Sequence, residues 1–176
     1  MNSFRVAALI FGLCYGADNL RAAGYGFSGP EIFPINSELY GMHTADLDGD
    51  GLNDLAVVNN VRSRITLLYN RTGKQKRKNK RVFDPNQVNQ LPPDARFERK
   101  SILAEVRIGG MMISDFNGDK KPDIALFGEP KKFQFIANKG NQEWAEPVSW
   151  ELEAGQINLN AIDAGDLNGD GLKDVV

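Results

Sequence analysis

Three short runs of the chain place oxygen-bearing side chains at alternate positions. The first holds Asp46, Asp48, Asp50 and Asp54, the second Asp115, Asn117, Asp119 and Asp123, and the third Asp166, Asn168, Asp170 and Asp174. Numbered from the first Asp, these are positions 1, 3, 5 and 9 of a loop. A hard cation such as calcium takes about 6–8 oxygen ligands at roughly 2.3–2.6 Å, and a tightly coiled loop can turn such side chains inward. The backbone carbonyl at position 7, from Leu52, Lys121 or Leu172, supplies a further oxygen. These residues are the expected calcium ligands.

The three loops are not equivalent. The first has four carboxylates; the others have three and an Asn. Gly51 and Gly171 occupy position 6, where a sharp turn needs positive φ, but the second loop has Lys120 there, followed by Lys121. A side chain in that conformation costs on the order of 1 kcal/mol, and two ammonium groups oppose a cation. The second site is therefore expected to be the weakest. An EF-hand would need a bidentate Glu at position 12 and a helix on each side. Position 12 is Val57 in the first loop and Leu126 in the second.

Short apolar runs flank the loops: Leu55-Ala56-Val57-Val58, Ile124-Ala125-Leu126-Phe127 and Val175-Val176. They read as strands. After the first loop come a strand at Leu55–Val58, a turn at 59–63, a strand at Ile65–Tyr69, then Asn70 and Gly73. After the second come Ile124–Phe127, a turn at 128–132, Phe133–Ala137, then Asn138 and Gly140. An aromatic residue and a proline follow in both, Phe83 with Pro85 and Trp144 with Pro147. Residues 108–114 and 159–165 read as strands entering the hairpins. Each loop thus joins two strands of a small antiparallel sheet. About four short strands per repeat of roughly 50 residues is the size of a propeller blade. Trp144 and Trp150 are expected to pack between such units.

The phrases DLDGDGLNDLAVVN, DFNGDKKPDIAL and DLNGDGLKDVV resemble FG-GAP/VCBS repeats, carried by integrin α-subunit headpieces and many secreted bacterial proteins. The resemblance covers roughly residues 30–176. It implies an all-β fold, a partial β-propeller of four-stranded antiparallel blades, with DxDxDGxxD calcium loops on one face and ligand contacts on the other. The departures are Lys120 and a longer first repeat. A closed propeller typically needs about 4–8 blades, and this chain holds two full units and the start of another. An N-terminal piece of a longer propeller is expected, needing further blades or self-association to close the sheet.

Residues 1–17 read as a signal peptide: Arg5 supplies the charge, Val6 to Leu13 the apolar stretch, and the only cysteine, Cys14, would leave with it. The propeller domain would then span 18–176. A secreted, periplasmic or cell-surface location follows, where calcium suffices for sites tuned to about 10⁻⁴–10⁻³ M. The net charge of −2 argues against a nucleic-acid binder, and no apolar stretch is long enough to span a membrane. Residues 74–81 hold six cations in eight positions, a solvated loop or a contact for an anionic polysaccharide. Gly24 to Gly29 spells GxGxxG but lacks the strand and helix of a dinucleotide site. His43 is the only histidine, so a Ser-His-Asp triad or His-rich zinc site has little to build on. The expectation is a calcium-binding scaffold for a polysaccharide or cell-surface protein. The alternative is the first part of a lyase-like, polysaccharide-active propeller enzyme.

Overall fold

The computed structural model describes residues 33–74, 91, 95–153 and 162–176. The signal-peptide reading, the GxGxxG run, Phe83 with Pro85, and the cationic run beyond Lys74 lie outside the described residues. Those that are described, from Pro34 on, fall in one compact unit.

Every regular element among the described residues is a strand. In the first sheet, β1 (Leu39–Ala45), β2 (Asp54–Asn59), β3 (Arg64–Asn70) and β4 (Phe97–Leu103) pair in chain order. The second sheet is built from β5 (Arg107–Ser114), β6 (Asp123–Glu129), β7 (Lys132–Ile136) and β10 (Val148–Glu151), also in chain order. Between its third and fourth strands lies a two-stranded ribbon, β8 (Asn138–Gly140) with β9 (Glu143–Trp144). A final pair joins β11 (Ala164–Gly165) and β12 (Asp174–Val175). All pairings are antiparallel. The expected strands around the first two loops are present, with ends shifted by a residue or two; of the strand expected at 159–165, residues 159–161 lie outside the described residues and only Ala164–Gly165 is paired. The β8–β9 ribbon was not anticipated; Asn141 and Gln142 turn it with φ of 53° and 65°, the left-handed conformation of a two-residue hairpin turn.

Alternation along β2, β3 and β6 decides which side chains meet. Ala56 and Val58, Ile65 and Leu67, and Ile124 and Leu126 point into one buried cluster shared by the two sheets, joined by Tyr69, Ile108 and Ile136. On the other face of β6, Ala125 and Phe127 meet Ile162, with Phe116 and Val175 alongside. With both faces covered, β6 reads as a continuous apolar run rather than an alternating one. Trp144 packs against the shared cluster and donates to the Tyr69 hydroxyl at 3.0 Å. Trp150 departs from expectation. It lies on edge strand β10, stays 50% exposed and tilts against Phe133. An edge position leaves one ring face to solvent.

Polar groups and one glycine fix the sheets and the connection between them. The Asn60 side chain donates to the Ile108 carbonyl at 2.8 Å and accepts from its N–H at 2.9 Å, as a neighbouring strand would. Gln134, fully buried, accepts from the Glu105 N–H at 3.2 Å and donates to Ser149 Oγ at 2.9 Å. Gly128 allows close backbone approach: a Cβ there would lie 2.2 Å from the Arg107 carbonyl oxygen.

Candidate metal centre in the repeated loops

The loops connect β1 to β2, β5 to β6 and β11 to β12. The side chain at position 1 organises each turn. Asp46 accepts from the N–H groups of Gly49 and Gly51, both at 2.8 Å. Asp115 does the same for Gly118 at 2.7 Å and Lys120 at 2.8 Å, and Asp166 for Gly169 at 2.7 Å and Gly171 at 3.0 Å. At position 5, Asp50, Asp119 and Asp170 accept from the N–H two residues on. Asn117 and Asn168, at position 3, accept from the N–H groups of Asp119 and Asp170. Position 6 has positive φ each time: 84° at Gly51, 66° at Lys120 and 88° at Gly171. Lys120 is thus held in the conformation that its neighbours assign to glycine.

Position 9 plays another part as well. Asp54 and Asp123 are fully buried. Asp54 accepts from the Leu47 N–H at 2.9 Å and the Asn70 N–H with its other oxygen at 2.6 Å. Asp123 accepts from Phe116 at 3.3 Å and Asn138 at 2.8 Å, and Asp174 accepts from Leu167 at 2.9 Å. Each ties position 2 of its own loop to the following strand. Asn70 and Asn138 complete the knot by donating to the position-8 carbonyls of Asn53 and Pro122, both at 3.1 Å. The periodic spacing of Asn70 and Asn138 was visible in the sequence, but not this role. Burial pushes the carboxyls of Asp54 and Asp123 upward, opposed by those N–H donors and reinforced by the nearby loop acids.

The first loop gathers a metal-like donor set. One ligand oxygen from each of Asp46, Asp48 and Asp50 lies within 4.8 Å of the others. Asp54 is outside that set but near enough for its charge to be felt. Asp48 Oδ1 is buried without a hydrogen-bond partner, and such an oxygen costs about 1–3 kcal/mol unless something satisfies it. An all-oxygen set of this kind fits calcium or magnesium. In the second loop, Lys121 Nζ sits 2.8 Å from Asp119 Oδ2 and holds that carboxyl below its usual range.

Neighbours cover the loops unequally. Leu47, at position 2 of the first, is 1% exposed, and its carbonyl accepts from Asn138 Nδ2 at 2.9 Å. Leu167, its counterpart in the third, is 67% exposed.

A concavity of about 420 Å³ lies between β1 and β5, lined by Tyr40, Met42, His43, Met112, Ile162 and Asp163 among others. Desolvation lowers the His43 pKa, partly offset by a hydrogen bond with the Met111 backbone.

Residues 115–176, comprising the second and third loops and the strands between them, match the family model of the FG-GAP-like repeat. That stretch is similar to the FG-GAP-like repeat. The first loop, outside the matched residues, repeats the same position-1, position-5 and position-9 hydrogen bonds. No curated protein and no solved structure matches the chain significantly. Among the described residues, no helix is long and apolar enough to cross a membrane.

Proposed function

We propose that the chain is part of a secreted β-propeller whose FG-GAP-like loops hold structural calcium, and that it serves as an interaction or carbohydrate-binding scaffold. The two four-stranded sheets and the β11–β12 pair act as successive blades. Asp46, Asp48, Asp50 and Asp54 with the Leu52 carbonyl would hold the first ion. Asp115, Asn117, Asp119, Asp123 and the Lys121 carbonyl would hold the second. Asp166, Asn168, Asp170, Asp174 and the Leu172 carbonyl would hold the third.

The observation that carries the reading is the Asp46–Asp48–Asp50 cluster with its buried, unpartnered Asp48 oxygen. When bound, calcium would neutralise crowded carboxylates. Ligand contacts fall to surfaces away from the loops, with a polysaccharide or a cell-surface protein as partner.

Thermal unfolding tests the calcium role. A site filled to ten times its Kd adds about 1.4 kcal/mol, which raises Tm by about 3–6 °C for a chain of this size. The Tm should be higher in millimolar calcium than in chelator, and Asp46→Asn should reduce the difference. A folded protein with the same Tm in both would refute calcium binding.

A further inference from the structure

Two side chains from outside the first loop converge on its acids. Lys74, in the turn after β3, ion-pairs with Asp50 Oδ2 and lies 3.7 Å from Asp48 Oδ2. Gln142, in the β8–β9 turn, donates from Nε2 to Asp48 Oδ2 at 2.9 Å across 94 residues of chain. Together they engage one oxygen of Asp48 and leave the other, Oδ1, buried without a hydrogen-bond partner. Only 8% of the Asp48 side chain is exposed. Among the described residues, neither the second nor the third loop shows a contact of this kind from a distant segment.

We propose that Lys74 is an intramolecular competitor for the divalent cation of the first loop, and that Gln142 is a positioning residue that fixes the Asp48 carboxylate for that ion. This rests on the calcium reading above. In the metal-free loop the Lys74 ammonium supplies the positive charge that Asp48 and Asp50 need. A divalent ion bound by the same carboxylates must displace the ammonium, because two cations cannot share one carboxylate cluster without strong repulsion. The observed affinity is the intrinsic affinity reduced by the cost of that displacement. Gln142 acts through Asp48: its left-handed turn aims the amide at Oδ2 and leaves Oδ1 for the ion. Calcium binding in the first loop is thereby linked to the seating of the ribbon from the second sheet.

The test is calcium titration by calorimetry on the full chain carrying Asp115→Asn and Asp166→Asn, which weaken the other two loops. Lys74→Gln should tighten binding about fivefold, the factor equivalent to about 1 kcal/mol between unit charges about 4 Å apart in water. Lys74→Arg, which keeps the charge, should stay near the parent value. Gln142→Ala should weaken binding, and its Tm in chelator should fall less than its Tm in calcium. Equal tightening by Lys74→Gln and Lys74→Arg would overturn charge competition, as would no change with Lys74→Gln. If Asp46→Asn abolishes binding while Lys74→Gln leaves it unaltered, the calcium site stands and the competitor falls. If neither parent nor Lys74→Gln binds calcium, both readings fall.

Discussion

Asp54 is fully buried, yet its two carboxylate oxygens serve two main-chain N–H groups, one in its own loop and one two strands away. The same acid is a candidate calcium ligand, since each oxygen keeps a lone pair after accepting one bond. Asp54→Asn separates these roles. An amide offers one acceptor oxygen where the carboxylate offered two, so one buried N–H would face another donor. In excess chelator the variant should unfold at lower denaturant, by about 1–3 kcal/mol. A loss seen only in calcium would make the residue a metal ligand alone.

At the scale of the element, the same loop hydrogen bonds are built three times, and the sequences differ where the backbone is most demanding. A Cβ on Gly51 would meet nothing within 4 Å, so Gly51→Ala carries only the cost of φ near 84°. That is about 1–2 kcal/mol. Lys120 already bears this cost at φ 66°. Lys120→Gly should therefore be neutral to slightly stabilising, because relief of strain is set against the greater freedom of glycine in the unfolded chain. It should also tighten calcium at the second loop by removing a cation. Paired Tm and calcium titrations of the two variants check the contrast. If Gly51→Ala and Lys120→Gly shift stability in the same direction, position 6 does not set the difference between the loops.

For the whole molecule, stability depends on contacts between sheets that share one core. Tyr69, fully buried in the first sheet, accepts from Trp144 Nε1 of the ribbon. Burial is the main cause that pushes its hydroxyl up to about 12, with the nearby Asp54 and Asp48 adding to it and the Trp144 hydrogen bond opposing it. The folded state therefore keeps a proton that the unfolded chain releases near pH 10. Stability from this group is intact below about pH 10 and falls by about 1.4 kcal/mol per pH unit up to about pH 12. Urea titrations at pH 8, 10 and 11 should show that loss, and Tyr69→Phe should flatten it. An unchanged alkaline slope in Tyr69→Phe would place the loss in other groups.

The all-β fold, the three loops, the hairpin strands on either side and the need for positive φ at position 6 were legible in the sequence. Each follows from local chemistry: alternate carboxylates, glycine placement and short apolar runs act over fewer than ten residues or so. Trp144, expected to pack between repeat units, is partly buried against the core shared by the two sheets; the exposure of Trp150 was not expected, because strand order within a sheet is not written in any single strand. What tertiary structure alone decided lies across the chain. Asn70 and Asn138 close their loops from two strands away, Gln142 reaches Asp48 from the turn of the β8–β9 ribbon, and Lys74 folds back onto the first loop's acids. No periodicity announces such pairings. They exist because hydrophobic burial presses the two sheets together, and only then do these polar side chains come within reach of the loop oxygens.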